Sequence, residues 1–216
     1  NFVTDYQENK NIYLKNVNDT VSLIHIINNL KLTFEKSSRE QIIYENYKKL
    51  SNDFKPDNSI QFFRFGVFHI MKSRINNSSS FFNRLIENND YSKSEILTIQ
   101  GFLTKSKVLW NVKFDKHGNY SSYTKKAGFG ISDYWLEHYK DIRKLKTNTT
   151  SDITLFKLKE KYSPYIIVDD YKLVEIKKIF RKSFWNLEEG KSSVDYIDYA
   201  ILISDSKANV PIEELE

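Results

Sequence analysis

Phe62-Phe63-Arg64-Phe65-Gly66-Val67-Phe68-His69-Ile70-Met71-Lys72 is a dense run of aromatic and β-branched residues that carries a glycine, a histidine and a lysine. Such a run reads as a buried strand, here over 59–71. A glycine inside a strand marks a close backbone approach. An imidazole where the strand ends stands where open α/β sheets place their chemistry. His69 is therefore the first candidate: near neutral pH it can serve as general base or metal ligand. Upstream, Ser37-Ser38-Arg39-Glu40 fits a capping box that opens a helix over 37–54. Consecutive elements are usually neighbours in space, so the reading brings Arg39 and His69 to one crevice. Arg39 would offer a permanent charge and a bidentate fork to a carboxylate or an oxyanion. Glu40 and Glu45 would orient or tune either partner.

The remaining titratable groups are weaker candidates. The chain has 4 histidines, and they are scattered. His25 lies beside the apolar stripe of a helix, and His117 sits in a turn. His138 and Asp141 are three apart on an expected helix, a spacing that more often gives a surface pair than a metal site. Asp169-Asp170 followed by Glu175-Ile176-Lys177 invites comparison with metal-dependent nucleases, but the gap is short and Glu-x-Lys falls inside a helical pattern. No Gly-x-Ser-x-Gly elbow occurs. The glycines of Ala127-Gly128-Phe129-Gly130 lack the spacing and the following helix of a phosphate loop. No metal set is expected, and the sequence leaves any cofactor open.

Composition narrows the classes. Cysteine is absent from the 216 residues, which excludes disulfides, thiolate nucleophiles and Cys-based metal sites. No apolar run is long enough to span a membrane. The net charge is +5, with 33 basic and 28 acidic residues, and it is spread out. The densest basic patches are 140–146 and 177–182. A dedicated nucleic-acid binder shows a stronger cluster, so the charge argues against that partner.

The elements that must position these residues follow from periodicity. Val21, Ile24, Ile27, Leu30 and Phe34 give a helix over 19–35. Ser78-Ser79-Ser80 caps a helix that buries Phe81, Phe82, Leu85 and Ile86. Strands are expected at 96–103 and 107–114, with a turn at 115–120. Helices are expected at 133–145, 153–162 and 171–185, a short strand at 165–168 and a closing strand at 194–204. Pro56-Asp57-Asn58 breaks the chain, and 1–17 and 206–216 are irregular ends. The sum is one α/β domain over 1–216, a largely parallel or mixed sheet flanked by helices, with one β-hairpin near 107–125.

The order of features resembles a known family. Arg39-Glu40-Gln41-Ile42-Ile43-Tyr44-Glu45-Asn46 resembles the Arg-Asp…Met-Ala-Glu-Asn helix of erythromycin-esterase-like proteins. Gly66-Val67-Phe68-His69, followed by Lys72, is similar to the Gly-x-x-His strand end that comes after it. The broader TraB/Tiki and haem-binding ChaN-like grouping is similar too. Leu155-Phe156-Lys157-Leu158 and Asp195 to Ile203 resemble later segments of the family in its Bacteroidetes form. The family's first half-motif and its second histidine are missing, so the resemblance implies the C-terminal part of a longer protein whose N-terminal half is a partner. It implies hydrolysis of an ester or related bond in a small-molecule substrate. His69 would be the base, Arg39 would stabilise the oxyanion, and Glu40 stands where the family often has Asp. Gly66, Lys72, Glu45 and Asn46 would line the substrate, with Asn46 hydrogen-bonding along its helix. Two rivals stand beside this reading. One is a non-catalytic module of the same fold that binds haem or another planar ligand. The other is a basic nucleic-acid or protein interaction domain using 140–146 and 177–182.

Overall fold

The computed structural model describes residues 2–35, 38–54, 60–126, 132–167, 171–182 and 185–207. Backbone contacts divide the chain into two units, 1–64 and 65–216, where the sequence reading expects one domain. The first unit is helical. The stretch expected to be irregular forms two short helices, α1 (Phe2–Glu8) and α2 (Lys10–Lys15). Asp5 ties them together, accepting from Asn9 Nδ2 at 3.0 Å and from the Tyr13 hydroxyl. Helix α3 (Thr20–Phe34) starts at Asp19, whose carboxylate accepts the Ser22 N–H at 2.9 Å and so satisfies a free amide of the first turn. Helix α4 (Arg39–Phe54) is capped by Ser38, which accepts the Gln41 N–H at 3.1 Å. Ser37 and Pro56-Asp57-Asn58 lie outside the described residues.

The second unit holds the sheet. Strands β1 (Ile99–Thr104), β7 (Tyr199–Ser204) and β5 (Ile153–Lys157) form a mixed sheet in the order β1-β7-β5. The β1–β7 pair is parallel, with Phe102 opposite Leu202, and β5 runs antiparallel to β7, with Phe156 opposite Ala200. An antiparallel hairpin joins β2 (Val108–Phe114) to β3 (Tyr120–Lys126) across the expected turn, where the Asp115 carboxylate accepts the backbone N–H groups of His117 and Asn119. A second antiparallel ladder pairs β4 (Glu137–Tyr139) with β6 (Ile176–Lys178). Helices α5 (Phe81–Glu87) and α6 (Ile142–Thr147) complete an α/β unit. Its core gathers Met71, Phe102, Leu145, Leu173, Tyr196 and Leu202, all nearly or fully buried.

Five expected elements are corrected. The run at 59–71 is not a strand: 60–66 is irregular and Val67–Ile70 is a single 3-10 turn. Phe62 is 93% exposed, so the aromatic run supplies no continuous buried face. The helices expected at 133–145 and 171–185 contain instead the short strands β4 and β6, and helix 153–162 contains β5. A 3-10 turn, Pro164–Ile166, takes Tyr165 and Ile166 of the strand expected at 165–168, whose last residue lies outside the described residues.

Candidate functional site

His69 rides on the 3-10 turn Val67–Ile70, closed by its own N–H donating to the Gly66 carbonyl at 3.0 Å. It is thus not at a strand end. Its ring lies between Phe65, 5.6 Å away centroid to centroid, and Phe68, 6.3 Å away. Phe65 in turn packs edge-on to Phe81 of α5, and Phe68 leans on Trp185. The imidazole is half-buried and its Nδ1 is shielded from solvent. Gly66 has φ −64°, which any residue can adopt. A methyl group there would meet only His69 Cδ2, at 3.6 Å. No backbone strain therefore requires this glycine.

Lys72, expected at the substrate, is committed to the protein interior. Its ammonium donates to the Ile96 carbonyl at 2.8 Å and to both Asp198 oxygens at 3.0 and 2.9 Å. Those three acceptors match the three protons of an ammonium. Asp198 also accepts from the Thr98 N–H and hydroxyl. Around this pair the strap after His69 is stitched down: the Lys72 N–H reaches the Tyr196 carbonyl at 3.0 Å, and the Ser73 hydroxyl the Asp195 carbonyl at 2.9 Å. Ser80, the N-cap of α5, accepts the Asn83 N–H and donates to the Met71 carbonyl. Asp198 and Thr98 are the partners that sequence reasoning missed. Asp198 is 126 residues from Lys72 along the chain and 100 from Thr98, and no local pattern links the three.

The other expected residues lie on α4. Arg39 is exposed at its first position and Glu40 is buried. Glu45 accepts from Gln41 Nε2, an i, i+4 bond on the same helix. Asn46 donates to Asn29 Oδ1 at 2.7 Å and so joins α4 to α3. Glu45 and Asn46 thus serve the helices that carry them. The crevice expected between Arg39 and His69 assigns its two members to different units.

Of the nuclease-like pattern, only Glu175-Ile176-Lys177 falls among the described residues. Glu175 is buried and accepts from the Leu187 N–H and from the Lys140 ammonium, while Lys177 is exposed. Asp169-Asp170 and Ala127-Gly128-Phe129-Gly130 lie outside the described residues. His138 Nδ1 sits 3.2 Å from the Tyr134 carbonyl oxygen, and Asp141 Oδ2 accepts the Lys172 N–H. Among the described residues no three His, Asp or Glu side chains gather as a metal site. None of the helices is long and apolar enough to cross a membrane, again among the described residues.

The chain matches no protein-family model, no curated protein and no solved structure.

Proposed function

We propose that the chain is the C-terminal portion of an erythromycin-esterase-like hydrolase, with His69 as the base that activates water against an ester or related bond. One observation carries the reading: the setting of His69. The ring is held between Phe65 and Phe68 on a turn whose exit is fastened by the buried Lys72–Asp198 pair. Packing of this kind fixes ring orientation, which proton transfer requires. With Nδ1 shielded, Nε2 is the nitrogen assigned to take the proton. The proposal rests on His69 and on its place in the resembling Gly66-to-His69 motif, with no role asked of Lys72 at the substrate.

The test is p-nitrophenyl ester hydrolysis by the full-length protein and its His69→Ala and His69→Gln variants, alongside thermal melts. The expected outcome is a loss of at least a hundredfold in kcat/KM, in the range general-base removal gives, with an almost unchanged Tm. Equal rates, or a variant that chiefly unfolds, would make His69 a packing residue. The aromatic surroundings of the ring favour one second reading, non-catalytic binding of a planar ligand such as haem. A Soret shift on haem titration that disappears in His69→Ala, with no ester turnover, would select it.

A further inference from the structure

The two densest basic segments of the sequence meet on one face of the second unit. The β4–β6 ladder sets His138 opposite Lys177 and Glu137 opposite Lys178. α6 follows β4 directly and brings Arg143 and Lys144 to the same place. Between them opens a cavity of about 740 Å³, walled by Trp135, Tyr139, Arg143, Lys144 and Lys177. A second cavity of about 660 Å³ shares Lys144 with the first and is lined also by Tyr171, Lys161 and Tyr162.

Two properties of this track narrow its ligand. The first is charge. Several lining lysines are already matched: Lys140 by Glu175, Lys157 by Glu160 and Lys144 by Asp141 at 3.8 Å. Arg143, Lys161 and Lys177 have no acidic partner among the described residues, and they are spread over both cavities. The second is exposed π surface. Trp135 is 61% exposed and Tyr162 86% exposed, one at each cavity, with the Lys161 ammonium over one face of the Tyr162 ring at 5.2 Å from its centroid. Between them the Lys144 ammonium sits 3.4 Å above the Tyr171 ring, so that ring is oriented by a cation already in place. Unmatched cations interleaved with open aromatic faces are how proteins hold single strands: backbone charge on the cations, bases on the rings. A single mononucleotide would fill one cavity and leave the other bare.

We propose that this track binds single-stranded nucleic acid, its phosphates on Arg143, Lys177 and Lys161 and its bases on Trp135 and Tyr162. This is independent of any chemistry at His69.

Fluorescence anisotropy with a labelled dT12 and rU12 tests it on the whole chain, with salt varied from 50 to 200 mM. The expected result is binding whose logarithm falls with log salt at a slope near −2, since each neutralised single-strand phosphate contributes roughly −0.7. Arg143→Ala/Lys177→Ala should weaken binding at least tenfold and make the slope shallower by about 1.4. Trp135→Ala should weaken it by a similar factor with the slope unchanged. All three side chains are exposed, and circular dichroism of each variant confirms the fold. No binding, a flat salt response or unaltered affinity in the charge variant overturns the proposal. So does equal affinity for a duplex of the same length, or stronger binding to phosphatidylserine vesicles than to either oligonucleotide.

Discussion

Two buried polar side chains of the same sheet region behave in opposite ways, and the difference is one of partners. Lys72 is 5% exposed yet surrounded by acceptors, with Asp198 closing the charge. Removing one member of such a pair strands the other in a medium that cannot solvate it. Asp198→Asn should therefore cost about 3 kcal/mol or more in chemical denaturation, far above a typical surface change. A loss below 1 kcal/mol would show that water reaches Lys72. Gln100 on β1 is the converse. It is 2% exposed beside Ala200, and neither amide atom finds a hydrogen-bond partner among the described residues. An unpaired buried amide costs free energy that an apolar side chain of similar shape does not. Gln100→Leu should raise stability by about 1–2 kcal/mol, and a destabilised variant would mean that a bound water or ligand satisfies the amide.

At the scale of elements, legibility followed how well one pattern excluded its rivals. α3, α4 and α5 carry both a helical apolar spacing and a capping side chain, Asp19, Ser38 or Ser80, and each formed where expected. β1, β7 and the β2–β3 hairpin were legible from β-branched runs and from the Asp115 turn. β5 was misread for a different reason: its apolar residues face both ways. In β5, Ile153 and Leu155 point outward and are more than half exposed, so Ile-Thr-Leu-Phe shows no alternation from which to infer a strand. Trp135, Tyr139, Ile142 and Leu145 mimic one helical face. In the structure Ile142 and Leu145 are buried in α6, while Trp135 lies outside it and exposed. The same ambiguity hid the character of the segment at 62–71. Two of its rings, Phe65 and Phe68, pack around His69 while Phe62 is exposed, and none of them pairs in a strand. Of the candidate site, His69 and the basic segments were visible as residue types. What joins them to their surroundings, Asp198 to Lys72 and β4 to β6, is set by tertiary pairing that no local window contains.

At the scale of the molecule, the second unit packs several phenols into or against its core. Burial raises the Tyr139 and Tyr165 hydroxyls well above the ordinary range, with Glu137 adding to the first and Asp141 to the second. Tyr196, fully buried, is pushed up to about 12, chiefly by burial. The Glu188 N–H donating to its oxygen at 2.8 Å works the other way, by favouring the phenolate. In each case folding favours the protonated phenol. The stability this represents is whole below the unfolded value of about 10, and it is lost as pH rises from there through the folded value. The molecule should therefore weaken progressively between pH 10 and 12, with no matching loss from these groups on the acid side. Absorbance at 295 nm should show a late group of phenols ionising together with unfolding. Tyr196→Phe should shrink that late step. At neutral pH it should cost about 1 kcal/mol, because the Glu188 N–H loses its acceptor. A late step of undiminished size in Tyr196→Phe would mean that the core admits hydroxide before it unfolds, and that the phenols are less sealed than their burial implies.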